Sequence, residues 1–459
     1  MTTPSIDVDV IIAGAGLSGL SVAHFLKKLR PDLSLLLLEK TNRVGGAIQS
    51  MNSDGFLAEW GAHGFLDNVA ENRELLEDLD LEDSLQKAPL KHFVRYICWK
   101  GKLIRIPQSP PEILKTKLLS FPQKLRVLGD FWKKPLAEEQ TIAQWAEHRF
   151  GKAMLPFADI ALTGTYAGDI ESLSIDAAMP GLRRLEQTFG SVFKGALKSR
   201  KKKASASGMP SMISFKGGME TLVKRMADGF PIRCGAQVDK ITRESGGWHV
   251  KAGKQSLRAT SLVIALPING SLELLKSLQP PPIDSVREAI VNNVVMGFKE
   301  PAHVPFGFGY LAPKSENRFA LGSLFSSHMF PERAPQGFSQ IEILVGGMRH
   351  PEHSALEDAE LIERAFQDVK QLIDLPEKPA FSTVIRPHSG IPQLETGYHR
   401  LLSYRENLQR LHARLQVCGF GWEGIGINDM IKQAKRVAEA VARDEAVRQE
   451  PAPAKPIYF

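Results

Sequence analysis

The chain has 459 residues, 43% of them hydrophobic, with 58 Lys and Arg against 51 Asp and Glu for a formal charge of +7. At about 150 residues per domain that length holds two or three folded domains, and the charged fraction of 24% excludes a disordered tail or a fibrous repeat. The longest apolar runs, residues 8–15 and 33–38, fall far short of the roughly 18 needed to cross a bilayer, and residues 1–7 lack the features of a cleaved leader, so a cytoplasmic protein is expected.

Residues 8–13 (Val-Asp-Val-Ile-Ile-Ala) form a β-branched run, then a glycine-rich turn, then a helix over 17–28 with Leu20, Ala23 and Leu26 at helical spacing. Pro31-Asp32 ends that helix, and 33–38 reads as a second buried parallel strand closed by Glu39. One βαβ unit fills the first forty residues. From about 107 to 200 the pattern turns helical: Pro110-Pro111 opens a helix, Thr141 with Gln144 makes a capping box before Trp145, and 174–199 is a longer helical stretch. Residues 201–208 (Lys-Lys-Lys-Ala-Ser-Ala-Ser-Gly) are expected to form an exposed loop without chemistry. Gly217-Gly218 precedes another helix, and 232–266 alternates strands around Ser245-Gly246-Gly247. Residues 291–386 mix strands with a helix over 355–373, and a last strand at 415–419 runs through a glycine turn into a helix over 429–442.

Cys98, Cys234 and Cys418 are far apart with no C-x-x-C pair, which argues against disulfide, zinc or iron–sulfur sites; all three are expected to be buried apolar residues. His350 and His353 flank Pro351 in a polar turn and are read as binding no metal. Residues 87–134 hold twelve Lys or Arg and only two acids, Glu112 and Asp130. That cationic field suits an anionic small molecule, an acidic partner or an anionic membrane face; no nucleic-acid fold signature accompanies it.

Gly14-Ala15-Gly16-Leu17-Ser18-Gly19 fits G-x-G-x-x-G between strand and helix. The first glycine permits the tight turn, the second lets backbone N–H groups reach a pyrophosphate, and the third lets helix pack on strand, with Leu17 and Ser18 at the anion-binding helix start. Glu39, twenty residues past Gly19, is placed to accept bonds from both hydroxyls of an adenosine ribose and to repel a 2′-phosphate, leaving FAD or NAD. Arg43-Val44-Gly45-Gly46 would bring a cation and a second backbone loop to the same pyrophosphate, a pattern that resembles the glutathione-reductase-like FAD superfamily. At the far end, Gly419, Gly421, Gly424 and Gly426 precede a helix whose positive end suits a flavin's electron-rich edge.

Over nearly its whole length the chain resembles the FAD-dependent protoporphyrinogen oxidases of the flavin amine oxidase superfamily. Beyond the fingerprint, the marks are Gly164-Thr165-Tyr166-Ala167-Gly168-Asp169 with Leu173-Ser174 and Pro180, Ser214-Phe215-Lys216-Gly217-Gly218-Met219, and Gly307-Phe308-Gly309-Tyr310-Leu311. Leu321-Gly322, Ser326, Phe330-Pro331, Gly346-Gly347 and Trp422-Glu423-Gly424-Ile425-Gly426-Ile427-Asn428-Asp429 complete the set. Gly61-Ala62-His63 stands where Gly-Pro is common, and Met430 replaces a frequent cysteine.

The resemblance implies an α/β protein with a glutathione-reductase-like FAD-binding Rossmann domain (1–90, 208–275 and 395–445), a mixed-sheet substrate domain (276–394, with strands near 91–106), a mostly helical insert (107–200) and a tail (446–459). It implies noncovalent FAD on Gly14, Gly16, Leu17, Ser18, Gly19, Glu39, Lys40, Arg43, Gly45, Gly46, Val238, Trp422, Gly426 and Ile427. Arg95 matches the arginine that pairs with a ring propionate, a role suited to its permanent charge and bidentate geometry; Gly164, Gly168, Phe308, Leu311 and Leu344 match the pocket walls. The implied reaction is dehydrogenation of protoporphyrinogen IX, or of coproporphyrinogen III, in three two-electron steps, electrons passing to oxygen or another acceptor and a ferrochelatase being a possible partner. Amine oxidase and carotenoid-type desaturase readings share the fold but suit an anionic substrate less well, and a flavin-free binding protein would not need the phosphate motifs. Phe121, Leu125, Leu128 and Phe131-Trp132 among lysines suggest that the insert docks peripherally on an anionic membrane.

Overall fold

The computed structural model describes residues 6–89, 94–107, 112, 115–203 and 210–443. Val8–Ala13 is the strand around which the first sheet is built, because its buried apolar residues can be covered on both sides. Leu35–Leu38 pairs parallel with one edge of it and Ile232–Arg233 parallel beyond; the second half of Gln255–Ile264 pairs parallel with the other edge, followed by Leu415–Val417. The first half of Gln255–Ile264 leaves this layer and continues antiparallel with Gly247–Ala252 and Val238–Glu244. Side chains alternate across the sheet: Val10, Ile12, Leu35, Leu37 and Val263 join one core with helices Leu17–Leu29 and Ile427–Arg443, while Ile11, Leu36, Leu38 and Ile264 join another.

A second, mixed sheet of seven strands runs Phe381–Ile385, Val291–Lys299, Phe338–Gly346, Ala320–Leu324, Gly309–Leu311, Arg95–Trp99, Lys102–Arg105. All its pairings are antiparallel except Gly309–Leu311 with Arg95–Trp99. On one face Val294, Met296, Phe298, Ile341, Ile343 and Val345 pack with Leu361, Ala365, Phe366 and Val369 of helix Asp358–Lys370. The opposite face carries Gln340 and Glu342, which meet Leu57 and His63, and Leu344, which packs on Ala167 at the end of helix Leu155–Tyr166.

That segment contains helices Phe121–Leu128, Ile142–Phe150, Leu155–Tyr166, Ile175–Ala178, Pro180–Phe189 and Val192–Lys203. Thr141 and Gln144 form the expected capping box. Buried Glu186 accepts from Trp145 Nε1 (2.7 Å), Arg149 Nε (2.8 Å) and an Arg183 NH group (2.9 Å), and Arg149 also reaches Asp130.

Several boundaries differ from the sequence reading. The single stretch 174–199 is three helices, broken by Pro180 and by left-handed Gly190 (φ 72°). The last of these continues through Lys201–Lys203, so those lysines are helical rather than looped, at the helix end where cations are tolerated best. The helix expected over 355–373 is a 3₁₀ turn, Pro351–Ala355, followed by Asp358–Lys370, and the C-terminal helix starts two residues early at Ile427. Cys98 and Cys418 are buried but Cys234 is exposed, because it follows the short edge strand Ile232–Arg233. Pro110-Pro111, residues 204–208 and the tail 446–459 lie outside the described residues.

Candidate active site

Val8–Ala13, Gln255–Ile264 and Leu415–Val417 are parallel, so their C-terminal ends share one edge of the sheet, and the helices starting at Leu17 and Ile427 both begin there. Ligands of open α/β sheets bind at that edge, where helix N–H groups are unpaired. Gly14 sits at φ 104°, and a Cβ on it would lie 2.7 Å from the Ala265 carbonyl oxygen. A Cβ on Gly19 would overlap the Gly14 carbonyl, whereas at Gly16 the nearest atom would be the Gly46 Cα, 3.6 Å away. The turn is therefore closed by backbone on one side and open on the other. Gly45 (φ 100°) donates to the Ala15 carbonyl at 2.8 Å, stitching the second glycine loop beside the first.

Glu39 is buried at the end of its strand; Oε2 accepts from Ala15 N–H (3.0 Å) and Oε1 from Thr41 N–H and Oγ1 (2.9 Å each), leaving acceptor capacity on Oε2. Arg43 folds back onto the carbonyls of Val44, Ile48 and Gly46, so it braces its own loop. Lys40 is exposed beside Glu39, and Val238 is half-buried at the start of its strand. The side chains of Leu17 and Ser18 are buried, which leaves their backbone N–H groups as their contribution. Trp422 is likewise turned into the core, its Nε1 donating to Ser271 Oγ at 3.2 Å under Arg405. Gly426 N–H donates to Asp429 Oδ2 (3.2 Å), and Ile427 is buried as the first helical residue.

On the substrate-side sheet the registers Arg95↔Gly309, Leu311↔Ile97, Gly322↔Leu311 and Leu344↔Gly322 place Arg95, Leu311 and Leu344 on one face. Arg95 lies over the Phe308 ring, 5.6 Å from its centroid, and has no acid partner among the described residues; burial lowers its pKa from the usual arginine value. A Cβ on Gly164 would meet Leu311 Cδ1 at 2.8 Å, so helix Leu155–Tyr166 approaches this face closely only because residue 164 lacks a side chain. Leu344 packs with Ala167 and Leu321. Gly168 instead faces Leu173 and Gln393, so it supports the bend after the helix rather than lining the same wall.

Sequence reasoning missed a buried polar cluster beside that face. Glu342, fully buried, contacts His63 Nε2 at 2.7 Å and accepts from Ser326 Oγ (2.6 Å), Gln340 Nε2 (3.2 Å) and Asn293 Nδ2. Burial opposes ionisation of Glu342, but His63 and the bonds from Ser326 and Asn293 outweigh it and hold its pKa at about 2. Burial also opposes the His63 cation, yet Glu342 and, further away, Glu59 raise its pKa despite Arg333. Arg333 pairs with buried Glu59 and donates to Ser214 Oγ at 2.7 Å. In sequence, Gln340 and Glu342 alternate with apolar residues, as on a solvent face; strand Phe56–Glu59, the loop carrying His63 and Ser326 cover them.

His350, Glu352 and His353 bring three ligand-type atoms within 4.8 Å, but the two imidazole planes are stacked at 13°, so their lone pairs run side by side instead of converging. Among the described residues no helix is long and apolar enough to cross a membrane.

A family model for flavin-containing amine oxidoreductases matches residues 17–442. The chain belongs to that family. It is 28% identical over 444 residues to the chloroplastic protoporphyrinogen oxidase of Nicotiana tabacum, covering 87% of this chain and 79% of that one. It is 26% identical over 453 residues to the coproporphyrinogen III oxidase of Bacillus subtilis (strain 168), covering 93% and 96%. Among solved structures, a protein of Exiguobacterium sp. 255-15 named as a candidate protoporphyrinogen oxidase aligns with a TM-score of 0.81 at 21% identity, over 96% of this chain and 100% of that one. Cyclohexylamine oxidase from Brevibacterium oxydans IH-35A aligns at 0.67 and 17% identity, over 95% and 99%.

This chain is thus a flavin-dependent oxidoreductase, and its cofactor is FAD. The residues fit that group: two helix N-termini, two touching glycine loops with no side chain between them, and a carboxylate with spare acceptor capacity.

Proposed function

We propose that the enzyme dehydrogenates protoporphyrinogen IX to protoporphyrin IX, with coproporphyrinogen III as the alternative substrate. The observation that carries this reading is Arg95: a half-buried guanidinium without an acid partner among the described residues, over an aromatic ring, on the sheet face that also presents Leu311 and Leu344. A cation left unpaired in an apolar wall suits a carboxylate ligand on a flat hydrophobic body. Two other arginines near this face are already committed, Arg333 to Glu59 and Arg349 to Asp159, which favours a substrate with fewer carboxylates.

FAD, when bound, supplies a hydride acceptor. Gly16 and Gly46 would offer its pyrophosphate backbone N–H groups, while Gly14 and Gly45, whose own N–H groups bond the Leu38 and Ala15 carbonyls, and Gly19 shape the two loops; Glu39 would take the ribose, and the start of Ile427–Arg443 would set a positive dipole end beside the ring system. Arg95 anchors a propionate, while Phe308, Leu311 and Leu344 hold the macrocycle and exclude water. The flavin is held noncovalently: Cys418 is buried, and burial pushes its thiol up to about 12, too high to react.

The helical insert associates with an anionic membrane surface. Phe121 (73% exposed), Leu125, Leu128 and Trp132 (81%) are exposed in a segment that also carries exposed Lys117, Lys133 and Lys134. Co-sedimentation with anionic vesicles, lost in Phe121→Ser/Trp132→Ser, is expected; no sedimentation of the parent chain would refute it. The substrate is tested by anaerobic mixing with each porphyrinogen in turn. Flavin bleaching, faster with protoporphyrinogen IX, is the expected result, and a flavin that stays oxidised with both refutes the reading.

A further inference from the structure

The motifs supply a cofactor site and a substrate anchor but no group to receive a proton. Over three turns a porphyrinogen loses one hydrogen from each of its four bridging carbons and two from pyrrole nitrogens, three as hydride and three as protons, so a base beside the ring is chemically useful. His63 stands where the three parts of the site meet. Gly61, two residues before it, packs on Ala47 next to the second glycine loop, where a Cβ would lie 2.9 Å from the Ala47 carbonyl oxygen. Three residues after it, the Leu66 carbonyl accepts from Asn428 at the start of the C-terminal helix, at 3.1 Å. Its ring meets Glu342, on the sheet face shared with Leu344 and Leu311.

We propose that His63, oriented by Glu342, is the catalytic base that takes the pyrrole proton. Nε2 faces Glu342, whose carboxylate is fixed by Ser326, Gln340 and Asn293, so it carries the hydrogen of the neutral ring. Nδ1 then holds a lone pair, has no protein partner among the described residues, and belongs to a side chain that keeps 15% exposure. A buried carboxylate behind an imidazole fixes its tautomer and stabilises the cation formed when it accepts a proton. In the step, the bridging C–H bond breaks with its electron pair leaving to the flavin as hydride. In two of the three turns the pyrrole N–H bond breaks, its electron pair staying on nitrogen while that nitrogen's former π pair completes the new C=N bond; in the third the proton leaves the fourth bridging carbon, whose C–H pair completes the conjugated ring. Each time the proton passes to His63 Nδ1, from which it returns to solvent before the next turn. The charged groups facing His63 are Glu342, Glu59 and Arg333. Glu342 is a positioning residue.

This inference rests on the porphyrinogen reading, so the experiment separates the two. Anaerobic stopped-flow reduction of the flavin by protoporphyrinogen IX is followed against pH in the holoenzyme, in His63→Gln and in Glu342→Gln. In the parent enzyme the rate should rise with pH through one ionisation above the ordinary histidine value and then level off. In His63→Gln it should fall by about a hundredfold or more, lose that limb, and recover partly with added imidazole. Should the variants fail to fold, ¹⁵N-histidine NMR of the resting parent holoenzyme decides: His63 should titrate above the ordinary value as the Nε2–H tautomer. A His63→Gln enzyme with the parent rate and pH profile overturns the base assignment alone, as does a His63 of the opposite tautomer. A parent flavin that no porphyrinogen reduces overturns the substrate reading, and the base role with it.

Discussion

Replacing Arg95 with alanine separates the substrate anchor from the fold. Among the described residues the guanidinium makes one interaction, with the Phe308 ring 5.6 Å away, and no ion pair. Losing that contact costs about 0.5–1 kcal/mol, and removing a desolvated charge offsets part of it, so unfolding free energy should change by less than about 1 kcal/mol. In the complex the same group would donate charge-assisted hydrogen bonds to a propionate, each worth roughly 1.5–3 kcal/mol. A net loss of about 2–3 kcal/mol corresponds to binding roughly 30- to 150-fold weaker. The assay is anaerobic flavin reduction as a function of porphyrinogen concentration, with urea unfolding alongside. Half-saturation should move up by that factor, with flavin content and unfolding midpoint held. An unchanged half-saturation would refute the anchor, and a loss of flavin or stability would show that Arg95 serves the fold.

Gly19→Ala should yield colourless protein, because its methyl group would overlap the Gly14 carbonyl and push the helix off the strand; the ratio of flavin to protein absorbance measures this, and a parent ratio would contradict it. Glu186→Ala should destabilise the helical segment by about 3–5 kcal/mol, since it removes the acid that buried Arg149 and Arg183 share and leaves each with one acid partner, Asp130 and Asp176; a loss under about 1 kcal/mol in urea unfolding would contradict that. The Glu342–His63 pair should also shape stability against pH. Glu342 has a depressed folded pKa of about 2, so its contribution is present above about pH 4.5 and lost as pH falls toward 2. His63 has a raised folded pKa, so its contribution is complete below about pH 6.5 and lost as pH climbs through the raised value. Urea unfolding between pH 3 and 9 should show both limbs flattened in Glu342→Gln, and curves parallel to the parent would refute the coupling.

The dinucleotide edge was legible because its signals are local. Gly14 and Gly19 are glycines for steric reasons set by residues a few positions away, and Glu39 follows a strand that only a buried parallel sheet would make so apolar. Thr141 and Gln144 were readable for the same reason, as a cap needs only its own first turn. Trp422 and Gly168 were harder: both belong to site motifs, yet the first side chain turns into the core and the second glycine makes room for Gln393, choices made by distant packing. Arg43 was expected at a pyrophosphate and braces its own loop, because backbone carbonyls lie within reach of a long cation.

The sequence by itself determined the strand, turn and helix at each end of the chain, the residues that admit a pyrophosphate, and the cationic character of residues 87–134, since each follows from neighbours in the chain. Only the tertiary structure decided that Glu342 is buried and meets His63, 279 positions away, and that Arg95 is left without an acid partner among the described residues while Arg149, Arg183, Arg333 and Arg349 are all paired. Burial and pairing are properties of the surfaces that pack together, and a strand of alternating residues carries no mark of which face another segment will cover.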